Sequence, residues 1–297
     1  MKNIVLVIGL GSIGKRHYSL LNKIEKVKKI YVLTKQKGFK NKITDIKEII
    51  RIKPTHIIIS NETNKHFYYV KFIEKNLINC NILIEKPIFN KLEIFKPIKN
   101  NYFIGYNLRF NPIIDSIKKL IHNEKIISIN IFCGSYLPKW RNNDYTKSYS
   151  ASKKLGGGVL LDLSHEIDYL IYLFGNLKLL FTKINKLSNL KINVEDNAII
   201  IGKTKTNSIV NITLNYFTKI PHRFLIIDSN NLTIKADLIK NKLEYKKNSR
   251  SFFKKFNFEK NHTYNKQLIS FLTDKKKLCS FSEAYEVLKI ISKIKNK

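Results

Sequence analysis

Glycines stand at 9, 11 and 14 in Gly9-Leu10-Gly11-Ser12-Ile13-Gly14, between a β-branched run, Ile4 to Ile8, and a helical pattern that begins at Ser12. In that setting the spacing suits the holding of a pyrophosphate. The first glycine permits a tight turn, the second lets phosphates approach the backbone, and the third lets helix and strand pack closely. The free N–H groups and positive dipole end of the helix then face the anion. Gly9, Gly11, Ser12, Ile13 and Gly14 are therefore expected to bind a dinucleotide. The next strand, Ile30 to Leu33, would normally end in an acid that holds the adenine ribose of NAD. Here it runs into Thr34-Lys35-Gln36-Lys37, with no Asp or Glu between Glu25 and Asp45. A hydroxyl followed by cations suits a 2′-phosphate, so Thr34 and Lys35 tilt the reading from NAD towards NADP. The alternative is that Lys35 and Lys37 belong to a general lysine excess, which leaves the choice between NAD and NADP open.

A second group of residues suits a polyhydroxylated ligand. The segment from Ser135 to Lys154 carries Tyr136, Trp140, Arg141, Tyr145, Lys147, Tyr149 and Lys153. Aromatic faces beside hydrogen-bonding cations are what a sugar or phosphorylated sugar requires. Trp140, Arg141 and Tyr149 are taken as substrate contacts; the plainer alternative is that these rings pack the loop against a sheet. Just beyond Gly156-Gly157-Gly158, Asp162 and His165 are three residues apart, a spacing that puts both on one face of a helix.

The elements that must position these residues alternate in type. Strand patterns at Ile4 to Ile8, Ile30 to Leu33, His56 to Ile59, Asn81 to Ile84 and Tyr102 to Ile104 have helical stretches between them. That order predicts an α/β fold, a doubly wound parallel sheet of Rossmann type, over residues 1–106. After Tyr106 the pattern changes. A helix at Pro112 to Ile121, a strand at Ile126 to Cys133, one amphipathic helix from Val159 to Leu173 and several alternating runs from Lys178 to Tyr245 follow. Residues 107–297 thus read as an α+β domain with a large, mostly antiparallel, open-faced sheet, closed by helices near Tyr264 to Leu272 and Ser282 to Ile294.

Three further segments occur in a recognisable order with the glycine fingerprint: Ile84-Glu85-Lys86-Pro87, Gly105-Tyr106-Asn107-Leu108-Arg109-Phe110, and Gly156-Gly157-Gly158 running to Asp162 and His165. Together they resemble the glucose–fructose oxidoreductase and inositol dehydrogenase family (Gfo/Idh/MocA) over essentially the whole chain. The resemblance implies an NAD(P)-dependent oxidoreductase acting on a secondary hydroxyl or ketone of a sugar or nucleotide-linked sugar, assembled as a homo-dimer or homo-tetramer. The stretch from Gly134 to Phe174 is similar to members from surface-glycan sugar pathways.

Carried over by position, the resemblance makes Lys86, Asp162 and His165 the catalytic set. It places Glu85 and Lys86 beside the nicotinamide and Asn107 and Arg109 against the substrate. Ser60 to His66 resembles the family's Asn-Pro-Thr-x-x-His loop under the cofactor, so Asn61, Thr63 and His66 are cofactor contacts; Glu62 stands where proline is usual. Family members acting on polyols commonly have His four residues after Asp, one more than here. The chemistry is coherent with that set: a histidine titrating near neutrality takes the hydroxyl proton, a carboxylate supports its cation, and a lysine polarises the oxygen.

Composition bounds the remaining possibilities. With 297 residues, 43% of them hydrophobic, the chain can bury two cores. The formal charge of +33 invites a nucleic-acid reading, yet only six of the 55 basic residues are Arg and the lysines are spread along the whole chain. Lys, Asn and Ile are abundant together while Ala occurs four times, as AT-rich coding would produce. No nucleic-acid or membrane partner is expected. Three dispersed cysteines suggest neither a metal site nor a disulfide framework, which fits a reducing cytoplasm. Two rivals remain: the same fold with a tightly held, recycled cofactor giving net lyase, epimerase or glycosidase chemistry, and a non-catalytic dinucleotide sensor that contacts nucleic acid.

Overall fold

The structure is a computed structural model that describes residues 3–296. The chain forms two compact units. The first takes the residues up to Asn107 together with Asn261–Leu288, and the second takes Leu108–Lys260 and the residues from Lys289 onward.

The first unit is built on a seven-stranded sheet. Its strands are β1 (Asn3–Ile8), β2 (Val27–Leu33), β3 (Lys42–Ile43), β4 (His56–Ile59), β5 (Asn81–Ile84), β6 (Asn101–Ile104) and β15 (Cys279–Ser280), in the order β15-β6-β5-β4-β1-β2-β3. All pairings are parallel except that of β15 with β6. Val5, Leu6, Val7 and Ile8 have no exposed surface. They lie on a central strand, where β-branched residues fill both faces. After β3 the chain returns past β1 to form β4, so the strand order reverses between β1 and β4. In open sheets of this kind ligands bind outside the carboxyl ends of the strands at such a reversal. Helices α1 (Ser12–Leu21), α2 (Glu48–Ile52) and α3 (His66–Asn76) connect the strands.

The domain limits differ from those read from the sequence. The first break falls at Asn107, but α7 (His262–Leu272), β15 and the first part of α8 (Phe281–Lys295) return to the first unit. Phe271 of α7 packs edge-on against His56 and Phe103, at centroid distances of 5.0 and 6.4 Å. Cys279 and Ser280 pair with Ile104 and Phe103.

The second unit begins with α4 (Pro112–Leu120), whose N-cap Asn111 accepts a 2.8 Å hydrogen bond from the Ile113 amide. Its eight-stranded sheet comprises β7 (Ile126–Gly134), β8 (Leu177–Asn185), β9 (Asn197–Thr204), β10 (Ile209–Asn215), β11 (His222–Ser229), β12 (Leu232–Asp237), β13 (Lys242–Lys247) and β14 (Arg250–Lys255). The order is β14-β13-β12-β11-β7-β10-β9-β8, antiparallel apart from β7 with β10. On β10 the inward face is fully buried, at Val210, Ile212 and Leu214. The sheet's other face is half-exposed and carries Phe132 stacked on Phe224 at 5.3 Å. At one edge, every residue of β14 is exposed.

The single helix expected from Val159 to Leu173 is two: α5 (Val159–Asp162) and α6 (His165–Phe174), parted by a turn at Leu163 and Ser164. The Asp162 amide still bonds to the Gly158 carbonyl, and the Asp168 amide to that of Ser164. Four short 3-10 turns fill the loop from Leu137 to Leu155.

Candidate active site

In the first unit the glycine turn is closed behind and open in front. Gly9 has φ +85°, and a Cβ there would sit 2.7 Å from the backbone of Asn61. A Cβ at Gly14 would overlap the Gly9 carbonyl oxygen and lie 2.7 Å from Ser60 Oγ. That hydroxyl donates to the Ile8 and Gly9 carbonyls at 3.1 and 2.9 Å, binding the ends of β1 and β4 together. Gly11, by contrast, has nothing within 4 Å of where its Cβ would point. Helix α1 begins immediately afterwards with no side chain capping it. Beside this turn, the Asn61 side-chain amide is buried and neither its nitrogen nor its oxygen has a protein partner. Buried amides are seldom left so. An open face at Gly11, uncapped helix N–H groups and an unpartnered amide fit a dinucleotide that supplies the missing contacts. Ser12 is exposed and Ile13 half-buried.

Thr34 is half-buried and Lys35 exposed at the end of β2. The Gln36 amide donates to Thr34 Oγ1 at 3.2 Å, while the Gln36 side chain reaches back to the Leu10 carbonyl at 3.0 Å. The glycine turn and the Thr34 turn are thereby tied together, with no acid between them.

Several other residues matched to cofactor or substrate contacts have partners within the protein. His66 is 1% exposed; its Nδ1 lies 3.1 Å from the Ile88 carbonyl and its Nε2 3.1 Å from that of Asn61. Burial lowers its pKa, so the ring is neutral and can donate to only one of these two carbonyls at a time. Thr63 is likewise buried. Glu85 packs its carboxylate against Gly105, lies 2.7 Å from Nε2 of the fully buried His17, and accepts from the Lys86 amide at 3.3 Å. Lys86, which follows it, is half-buried just beyond β5 with a cis bond to Pro87. Asn107 is buried and donates to Thr263 Oγ1 at 2.9 Å.

In the second unit, Arg109 departs from the expected substrate contact. It is 1% exposed, with Nε 3.1 Å from both Asp168 oxygens and Nη2 2.7 Å from Oδ1. Its guanidinium also lies over the Tyr172 ring at 4.8 Å. A cation enclosed in this way presents no surface to a ligand.

Asp162 and His165 are both buried, at 3% and 9% exposure, on either side of the turn between α5 and α6. Asp162 Oδ2 accepts a 2.6 Å hydrogen bond from the Tyr216 hydroxyl. The Tyr149 phenol faces the same carboxylate. Burial and then the Asp162 charge push the pKa of Tyr149 and of Tyr216 upward, so both hydroxyls keep their protons. Arg141 lies over the Tyr149 ring at 5.1 Å, and Trp140 meets Tyr216 edge-on at 5.3 Å. Trp140 and Arg141 thus reach Asp162 through Tyr216 and Tyr149, and Trp140, Arg141 and Tyr149 are all half-buried. The glycine run packs closely against this loop: a side chain on Gly157 would overlap the carbonyls of Tyr149 and Ser150. Glu166, fully buried, forms an ion pair at 2.8 Å with Arg223 that pins α6 to β11.

Tyr216 has no place among the residues singled out from the sequence, although a signal was present. Val210, Ile212, Leu214 and Tyr216 continue one inward-facing alternation, and a tyrosine on a buried face needs a partner for its hydroxyl.

A doubly wound nucleotide-binding sheet with an open glycine turn, together with a second unit bearing a buried Asp–His set under a broad sheet, defines a two-domain oxidoreductase fold. Residues 118–297 match the model of the "Oxidoreductase family, C-terminal alpha/beta domain". The chain belongs to the Gfo/Idh/MocA oxidoreductase family. Among solved structures, levoglucosan dehydrogenase in complex with NADH and L-sorbose is similar with a TM-score of 0.84 at 15% identity, covering 99% of this chain and 96% of its own. UDP-N-acetylglucosamine 3-dehydrogenase GnnA from Acidithiobacillus ferrooxidans has a TM-score of 0.77 at 14% identity, covering 100% and 97%. GenD2 from gentamicin A biosynthesis, in complex with NAD, has a TM-score of 0.77 at 15% identity, covering 100% and 95%. No protein of curated function matches the sequence. Among the described residues, no helix is long and apolar enough to cross a membrane.

Proposed function

We propose that the protein is an NAD(P)-dependent dehydrogenase that interconverts a secondary hydroxyl and a ketone on a sugar or nucleotide-linked sugar. The observation that carries this reading is the glycine turn, closed behind Gly9 and Gly14, open at Gly11, and flanked by the unpartnered Asn61 amide. Gly11, the N-terminus of α1, Asn61 and Thr34 would hold the dinucleotide, whose nicotinamide supplies the hydride acceptor when bound. Thr34 and Lys35, with no acid beside them, favour NADP.

His165 takes the proton from the reacting hydroxyl, and Asp162, held by Tyr216, supports the imidazolium that results. Lys86, matched to the family's Glu-Lys-Pro lysine, would stabilise negative charge developing beside the nicotinamide. Trp140, Tyr149 and Arg141 provide apolar faces and a cation for the sugar. The half-exposed sheet face around Phe132 and Phe224 is the surface for a second copy of the chain.

The test is a paired titration with NADH and NADPH, read as energy transfer from Trp140, the one tryptophan in the sequence. Saturable transfer with the tighter constant for NADPH is expected, together with sugar oxidation that falls about 100-fold or more in His165→Ala while nucleotide affinity stays within about twofold. Absence of saturable transfer with either nucleotide refutes the reading.

A further inference from the structure

Asp162 needs an anchor. It sits on the last residue of a four-residue helix, α5, where the chain turns before His165 opens α6. So short a helix is not stable by itself and takes its position from packing. The Tyr216 hydroxyl, at 2.6 Å, makes a hydrogen bond to the carboxylate, and bonds to a charged acceptor are among the strong ones. Tyr216 is itself rigidly held. It has no exposed surface, its amide donates to the Asp196 carbonyl at 2.9 Å, and its carbonyl accepts from the Leu137 amide at 2.9 Å. Its ring meets the edge of Trp140, whose Nε1 donates to Ser135 Oγ at 2.8 Å. Tyr216 therefore connects the aromatic loop to the carboxylate. The titratable groups acting on it are Asp162, Tyr149 and Glu195, and Glu195 forms an ion pair with Lys295 at 3.1 Å.

We propose that Tyr216 is a positioning residue for the reaction: its hydroxyl fixes the Asp162 carboxylate at the α5–α6 turn and couples that carboxylate to the sugar-facing loop through Trp140. The inference rests on the dehydrogenase reading given above. Tyr216 does not touch substrate; it acts through Asp162.

Tyr216→Phe removes the hydroxyl and keeps the ring against Trp140. The expected result is a fall in kcat of about 10- to 100-fold, the worth of a hydrogen bond to a charged group. Sugar KM is expected within about threefold, nucleotide affinity within about twofold, and the acid limb of the kcat–pH profile displaced by about half a unit or more. Trp140→Phe, measured in parallel, is expected to move the same limb in the same direction by a smaller amount. Retention of kcat within about threefold, or a loss of kcat with an unmoved pH limb and a lowered melting temperature, overturns the assignment. Failure of the unsubstituted protein to oxidise any sugar with either nucleotide refutes the dehydrogenase reading itself, and the positioning role with it.

Discussion

Arg109→Ala separates a folding role from a binding role. The guanidinium is enclosed with Asp168, their side chains 2% and 0% exposed, and three donor–acceptor distances of 2.7 to 3.1 Å join them. Deleting the cation leaves a buried carboxylate without its main counter-charge, which costs about 3–5 kcal/mol. Such a loss is a large part of the roughly 5–15 kcal/mol by which a domain is stable. With a urea slope of about 2–3 kcal/mol per molar, the unfolding midpoint falls by about 1–2.5 M. Far-UV circular dichroism and Trp140 emission, which reports on the same unit, follow the transition. Assayed below that midpoint, the folded variant keeps its sugar KM within about threefold. An unchanged midpoint accompanied by a tenfold or larger rise in KM would show that the guanidinium serves the ligand, and the argument from burial would be wrong.

Two other perturbations act on the first unit. Gly14→Ala forces a methyl against the Gly9 carbonyl and Ser60 Oγ, so β1 and α1 must part; isothermal titration is expected to show nucleotide affinity weakened about tenfold or more, and unchanged affinity would refute the close-packing argument. Acid sensitivity is expected from His56, whose pKa is lowered to about 4 by burial and then by the charge of Lys275. Between about pH 6.5 and 4 the unfolded chain binds a proton that the folded one refuses, so stability falls with pH across that window, by up to about 3 kcal/mol. Urea titrations at pH 7.5 and 5 measure this loss, and His56→Gln should reduce it; an equal loss in the variant would assign the sensitivity elsewhere.

Local sequence was enough where local physics decides the outcome. The glycine turn was legible because a positive φ at Gly9 and the close approach at Gly14 admit no other residue, and because a β-branched strand and a helix start bracket them. The return of α7 and β15 to the first unit was not legible. A two-residue strand at Cys279–Ser280 pairs with β6 across more than 170 positions of chain, and no window around it carries that information. The break at Leu163 and Ser164 was hidden for a different reason: buried apolar residues continue on both sides of it, so the periodicity reads as one helix. Arg109, His66 and Glu85 show a third limit. Motif position identified residues that matter, but a ligand contact and a buried tie look alike until partners are seen. Trp140, Arg141 and Tyr149 stood out in the sequence as substrate contacts, while Tyr216, whose hydroxyl bonds to Asp162, looked like one more inward residue of a strand.

The lysine excess, which says little about a partner, has a consequence at the free edge of the second sheet. An outermost strand offers unpaired backbone groups to any similar strand, and β14 presents Phe252 and Phe253 along with them, at 44% and 60% exposure. Arg250, Lys254 and Lys255 share that strand, and Lys242, Lys246 and Lys247 line its neighbour β13. Bringing two such edges together would crowd cations of one sign along both ribbons, within a Debye length of about 8 Å at physiological salt. The lysine excess thus acts as a gatekeeper against strand-to-strand aggregation, a protection that weakens as ionic strength rises.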